Sequence, residues 1–266
     1  MERDNGLDNG LDQDERFGGI SRLYGSAGAS RVASARVAVV GVGGVGGWVA
    51  EALVRTGCLK VILMDLDDVC VTNINRQVHA TGETIGQPKT GAMAERLRVV
   101  SPGCVVEEVR EFYDASTEEQ LFGLNPSLVI DAVDSTADKA RLIAAATRRG
   151  VPVVTVGAAG GRRDPASVRR GDLGATGGDP LLREVRRRLR AEQGWAVAER
   201  APWGVPAVFS VERAVYPTPK GETCDTPSPG ARVHLDCRSG YGTSAMVAGT
   251  FGLTAAAIAV DLLIAS

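Results

Sequence analysis

Five groups of residues along this chain have the types and spacing to handle a phosphorylated ligand. GVGGVG supplies Gly41, Gly43, Gly44 and Gly46, and MDLDD supplies Asp65 and Asp67. NINRQ carries Asn73 and Arg76, GQPK ends in Lys89, and DAVD ends in Asp134. Glycines let a backbone turn tightly and approach phosphates, and the helix that follows offers free N–H groups and the positive end of its dipole. An acid at the end of the next strand, Asp65, is placed to accept from ribose hydroxyls. These features alone fit NAD or FAD. A dinucleotide, however, carries two phosphate charges and does no chemistry at them. ATP carries about four, and cleaving it calls for cations at the phosphates and an acid for magnesium. Arg76, Lys89 and Asp134 make that set. Lysine occurs only at 60, 89, 139 and 220, so Lys89 is an unusual choice in an arginine-rich chain. The plainer alternative is that Arg76 and Lys89 are solvated charges, as most charged residues are.

The elements that must position these groups follow from periodicity. ARVAVVG (35–41) and KVILMD (60–65) are apolar runs of buried-strand type, as are CVVEEV, PSLVIDAVD (126–134) and VPVVTVG. Helical spacing fills 44–57, 88–103 and 139–150, with Gly57 and Pro-Gly as stops. Strands alternating with helices predict an α/β fold: a Rossmann-like, doubly wound, mainly parallel sheet, whose ligands sit beyond the carboxyl ends of the strands. After about residue 162 the pattern changes to a polar stretch, RRDPASVRRGDL, a basic helix, DPLLREVRRRLRAE, and a strand, AVFSVERAVYP. These form a C-terminal extension of strands and helices. The acidic start, residues 1–15, has too few apolar groups to offset its ordering entropy and reads as a disordered tail. The rest, 16–266, is one domain, with a nucleotide-binding core at about 35–160 and a substrate or dimer region at about 161–266.

Composition narrows the class further. A net charge of -2 argues against a uniformly basic coat but leaves room for a local basic face. Such a face is expected around Arg162, Arg163, Arg169, Arg170, Arg183, Arg186, Arg187, Arg188 and Arg190. Arginine suits phosphate and nucleic acid, and a solvated helix face is the alternative. The five cysteines form no CxxC pair and only two histidines exist, so no zinc site is expected. Scattered thiols without a signal peptide suggest the cytoplasm. The apolar C-terminal stretch, interrupted by Asp261, reads as a buried core helix rather than a membrane span. Cys237, in DCRSGYG beside Arg238, is a candidate reactive thiol, with an inert buried one as the alternative. His79 is open between substrate contact and packing, and His234 reads as structural or exposed.

GVGGVGGWVAEALVRTG, MDLDDVCVTNINRQ, GQPK and DAVDS together resemble the ubiquitin-activating-type adenylation family, which includes the bacterial enzymes ThiF and MoeB. The resemblance spans about residues 16–160 and implies adenylation of a carboxylate by ATP with release of pyrophosphate. It implies that Gly41, Gly43 and Gly46 line the phosphates and that Asp65 holds the ribose, with Gly44 and Asp67 as further nucleotide-binding residues. Asn73, Arg76 and Lys89 would hold phosphates, and Asp134 the magnesium. RFGGISRLYG (16–25), GAAGGRRDP (157–165) and DCRSGYGTSAMVAGTFG (236–252) resemble one branch, the tRNA threonylcarbamoyladenosine dehydratases. That likeness implies a tRNA substrate whose modified adenosine lies beside the anticodon. It also implies a homodimer and a link to a cysteine desulfurase and its sulfur acceptor, which makes Cys237 a candidate for sulfur traffic. ThiF and MoeB keep paired CxxC zinc motifs that this chain lacks, which favours the dehydratase branch. MoeB-like chains open with R-x-x-R, whose second arginine reaches the ATP of the partner subunit. Here Arg16 stands first but Gly19 second, leaving Arg16, or Arg22 in its place, as the trans-acting candidate. The competing readings are adenylation of a sulfur-carrier protein's C-terminus and a non-catalytic NAD-binding or nucleotide-binding scaffold.

Overall fold

Short β-branched runs bounded by glycine or polar turns become strands buried on both faces. In the computed structural model, which describes residues 9–195, 201–218, 220–226 and 242–266, these are β1 (Arg36–Val40), β2 (Lys60–Met64), β4 (Leu128–Asp131) and β5 (Val153–Val156). They form the middle of a seven-stranded sheet of order β3-β2-β1-β4-β5-β7-β6, completed by β3 (Val105–Val109), β6 (Val168–Asp172) and β7 (Pro206–Ser210). Every pairing is parallel except β6 with β7. The chain builds outward from β1 to β3, then returns to lay β4 on the other side of β1. Val40 of β1 pairs with Met64 on one flank and Asp131 on the other. The loops leaving β1, β2 and β4 therefore open into one crevice, at the point where strand order reverses.

Alternation along the strands divides the core. Val37 and Val39 join the cluster that holds Leu53 of α2 (Gly46–Arg55), Met93 of α3 (Lys89–Val100) and Phe251 of α7 (Ala245–Ala265). Ala38 and Val40 join Leu121 of α4 (Glu118–Gly123), Leu142 of α5 (Thr136–Arg148) and Leu182 of α6 (Pro180–Gln193). α7 is long and apolar enough to cross a membrane by composition, yet 61% of its most apolar window is buried. Its small residues let it approach α2 closely. A Cβ added to Gly252 would sit 2.6 Å from Trp48 Cβ and 2.7 Å from the Val45 carbonyl oxygen.

Several elements differ from the sequence expectations. α1 (Asn9–Ser34) starts inside the stretch read as a disordered tail, so residue 15 is not where order begins. It is continuous except at Gly25, whose φ of 75° kinks it. Part of RRDPASVRRGDL is the edge strand β6, whose charged side chains hide it from an apolar pattern. The strand expected over 207–217 stops at Ser210. Beyond it the Glu212 carboxylate accepts from the N–H groups of Arg163 and Asp164, and Tyr216–Pro217 (β8) pairs separately with Thr223–Cys224 (β9). β4 ends at Asp131, not Asp134. The Asp131 side chain accepts from the Val133 N–H at 3.3 Å and turns the chain, which leaves Asp134 in the loop.

Asp131 is itself wholly buried and paired with Lys139, equally buried, at 2.9 Å. Lys139 also donates to the Asp131 carbonyl oxygen, and the Thr155 hydroxyl donates to the carboxylate at 2.6 Å. Burial pushes the Asp131 carboxyl above its ordinary range, and the Lys139 ammonium is the main opposing influence. Lys139→Met should cost about 3–5 kcal/mol by stranding a buried carboxylate. Pairing it with Asp131→Leu should recover most of that loss. Urea unfolding of both variants checks this, and equal loss in the two would refute it.

Candidate active site

A cavity of about 680 Å³ occupies the crevice, within the size range of small-molecule sites. Its floor is the turn between β1 and α2. Gly41 has φ of 89°, and a Cβ there would meet the Ala132 carbonyl oxygen at 2.6 Å. A Cβ on Gly46 would fall 1.9 Å from the Gly41 carbonyl oxygen, so only glycine lets the first turn of α2 fold back onto the strand exit. A Cβ at Gly44 would meet the Arg76 side chain at 3.1 Å. One at Gly43 would meet nothing within 4 Å, and Gly43 lines the cavity. The backbone there is a bare cradle with room for a ligand's phosphates.

Asp65 fixes the cradle. Its Oδ2 accepts from the Val42 N–H at 2.7 Å and its Oδ1 from the Asp67 N–H at 2.9 Å. Burial raises its pKa, against the pull of Lys89 and of these N–H groups. Lys89, the first residue of α3, lies in the same wall. Its Nζ is 2.6 Å from Asp67 Oδ2 and 3.9 Å from Asp65 Oδ1. The ammonium expected at a phosphate thus rests on the strand-end acids, from which it can be drawn into the cavity.

Asn73 and Arg76 line the cavity too, with their polar atoms partly committed. Asn73 Oδ1 accepts from the Cys70 N–H at 3.0 Å, which caps the short 3-10 turn Val71–Asn73. The Arg76 guanidinium donates to the Thr72 carbonyl oxygen at 2.8 Å and to Asn75 Oδ1 at 3.1 Å. The Arg76 carbonyl oxygen in turn accepts from the Trp48 indole N–H at 3.0 Å. Asp134 is exposed on the opposite wall, and among the described residues nothing hydrogen-bonds its carboxylate. Behind it Ser135 caps α5.

The remaining wall, Gly157–Gly160, belongs to the GAAGGRRDP segment, which carried a family resemblance but no assigned role. Ala158 N–H donates to Asp179 Oδ2 at 3.0 Å, while Oδ1 caps α6 through Leu182. Arg162, expected on a basic surface, is buried 3.5 Å from the same carboxylate and donates to the carbonyl oxygens of Ala158 and Gly160. Arg188 is paired with Glu184 and Glu192, and Arg170 with Asp261. Sequence reasoning missed Trp48 and Asp179 because neither reacts, although the Asp-Pro of a helix start marks the second.

Other candidates fall elsewhere. Arg16 donates to the Val100 carbonyl oxygen of its own chain at 3.4 Å and does not line the cavity. Cys237, with Arg238 and His234, lies outside the described residues. His79 packs against Gly47, buried, and among the described residues neither ring nitrogen has a hydrogen-bond partner. Among the described residues, no three His, Cys, Asp or Glu side chains converge as a metal site. The Asp134 carboxylate faces the glycine cradle across the cavity.

This fold and cavity are those of a nucleotide-binding adenylation protein, and the chain belongs to the ThiF family, whose description matches residues 19–263. It is 43% identical over 253 residues, 94% of both chains, to the tRNA threonylcarbamoyladenosine dehydratase of Escherichia coli K12. It is 38% identical over 251 residues to the protein of that name from Haemophilus influenzae, again 94% of both. The crystal structure of Escherichia coli TcdA in complex with ATP superposes with a TM-score of 0.83, at 40% identity and over 95% of each chain.

Two outcomes follow. Gly43→Val should fill the open cradle and weaken nucleotide binding more than tenfold, while leaving the ligand-free melting temperature nearly unchanged; calorimetry measures both. Burial, followed by the charges of Lys89 and Arg96, pushes the His79 pKa down to about 4. Below the ordinary imidazole value of about 6.5, the unfolded chain binds a proton that the native chain refuses until about pH 4. Stability contributed by neutral His79 is therefore lost as pH falls through that window, by up to about 3 kcal/mol. His79→Leu should flatten the pH dependence between pH 6.5 and 4, and stability curves parallel to the parent's would count against this assignment.

Proposed function

We propose that this chain uses ATP to adenylate the carboxylate of N6-threonylcarbamoyladenosine in tRNA and so closes it to the cyclic, dehydrated form. The observation that carries this reading is a likeness extending over 94% of both chains to proteins of that name. The cavity's chemistry agrees with it. A carboxylate is a poor electrophile, because its oxygen is a poor leaving group. Attack of that oxygen on the α-phosphate releases pyrophosphate and attaches the carboxyl to AMP. A nitrogen of the same modification then attacks the carbonyl carbon and loses its proton. AMP departs with the oxygen, so the net change is loss of one water. The nucleophile is tethered, which raises its effective concentration.

In this reading the glycine cradle holds the phosphates by backbone N–H groups and the positive end of α2. Lys89 leaves Asp67 to meet negative charge as pyrophosphate forms, and Arg76 swings from Thr72 to do the same. Asn73 adds a neutral donor, and Asp65 and Asp67 accept from the ribose. Asp134 would hold magnesium, which neutralises the phosphates of the substrate. The working unit is a homodimer in the cytoplasm, with Arg16 offered to the partner subunit's nucleotide. A cysteine desulfurase and its sulfur acceptor are further proposed partners, acting through Cys237.

Mass spectrometry of nucleosides from treated tRNA, with and without ATP, should show loss of one water from the threonylcarbamoyl nucleoside only when ATP is present. Lys89→Ala should lower the rate by about 10²–10³-fold, as loss of one charge-stabilising donor does. Pyrophosphate exchange stimulated by a carrier protein ending in Gly-Gly, and not by tRNA, would reject the assignment.

A further inference from the structure

The cavity does not end at its rim. Leu181 of α6 lines it, and Asp179, the cap of that helix, holds the cavity wall at Ala158. From there α6 runs 14 residues away from the site, about 21 Å at 1.5 Å per residue. Leu182, Val185 and Leu189 bury one face. Arg183, Arg186, Arg187 and Arg190 fall at i, i+3, i+4 and i+7, so they form one stripe on another face. Together with Glu184 they line a second depression of about 510 Å³.

Arginines this close repel one another, and carboxylates balance only part of the row. Glu184 takes Arg187 at 2.6 Å and also Arg188 at 3.3 Å. Among the described residues no acid lies within salt-bridge distance of Arg183, Arg186 or Arg190. Arg186 is anchored by the Thr176 hydroxyl at 2.5 Å, and Arg190 rests over the Trp203 ring at 5.3 Å. These anchors hold the guanidinium groups in a fixed row without neutralising them. Burial first, then Arg190 and Arg183, lowers the Arg186 pKa, with Asp179 opposing them. A bound anion would relieve the repulsion along the row. The row is linear and starts at the cavity, which fits a polyanion whose one reactive nucleotide enters the cavity. A flat anionic surface would need a broad basic face instead.

We propose that Arg183, Arg186, Arg187 and Arg190 form the track that grips the phosphate backbone of the tRNA arm while its modified adenosine occupies the cavity. This rests on the function proposed above. Arg183 and Arg187 are the exposed members, so replacing them does not disturb the core. The double variant Arg183→Gln/Arg187→Gln should raise KM for modified tRNA about tenfold, with kcat and ATP affinity within about twofold of the parent. The slope of log affinity against log salt should shrink by about 1–2, one unit or so for each phosphate no longer gripped. Glu184→Gln, which removes the competing carboxylate, should shift affinity in the opposite direction. Unchanged KM and salt slope in the double variant would overturn the track. If the parent binds tRNA without turning it over, the proposed function fails while the salt slopes still judge the track. If the parent binds no tRNA at any salt concentration, both fall.

Discussion

One buried carboxylate organises the nucleotide end of this molecule. Asp65 closes β2, yet its two oxygens do their work on other segments: one holds the glycine turn through Val42, the other holds its own turn through Asp67. Lys89 arrives from the next helix to balance the charge, with Asp67 as its nearer partner. Three separate pieces of chain therefore take their positions from a single side chain. In the ribose-binding role proposed for it, Asp65 would meet the hydroxyl pair with lone pairs already partly engaged, and one residue would both build the site and serve it. A neutral amide there would keep some of the hydrogen bonding but would give Lys89 less reason to stay.

Two further tethers act at the rim, each from a helix that has no reacting group. Trp48, pressed against the glycines of α7, fixes the backbone of Arg76 by its indole N–H. Asp179, capping α6, fixes Ala158 and is balanced by the buried Arg162. The cavity is thus held by backbone contacts, leaving Arg76 and Lys89 able to exchange protein partners for ligand. Rigid main chain and exchangeable side chains suit a site in which charge must be neutralised only as it develops.

Local rules carried most of the reading from sequence. The spacing of Gly41 and Gly46 is legible because sterics forbid anything larger, and the β-branched runs of β1, β2, β4 and β5 because both faces are buried. What escaped is whatever depends on contacts across the fold. Arg162 looks like its basic neighbours in sequence, and only the arrival of Asp179 makes it a buried residue. DAVD reads as one strand because hydropathy cannot show that Asp131 is an interior charge matched by Lys139, with the chain turning before Asp134. β6 is an edge strand with polar side chains on both faces, a pattern that periodicity assigns to loops. The start of α1 is similarly hidden, because too few apolar residues mark it as helix.

The packing of α7 also sets an order of events during synthesis. This helix covers the face of the sheet formed by β4, β5 and β7, closes onto Trp48, and receives Arg31 of α1 at its Ile264 carbonyl oxygen. Until the ribosome has finished it, a nascent chain holding the glycine turn and its acids still shows water a broad apolar surface and leaves the Trp48 anchor loose. The nucleotide pocket is therefore braced and a broad apolar surface covered by the same helix, and a chain lacking α7 would be a client for chaperones rather than a slow enzyme.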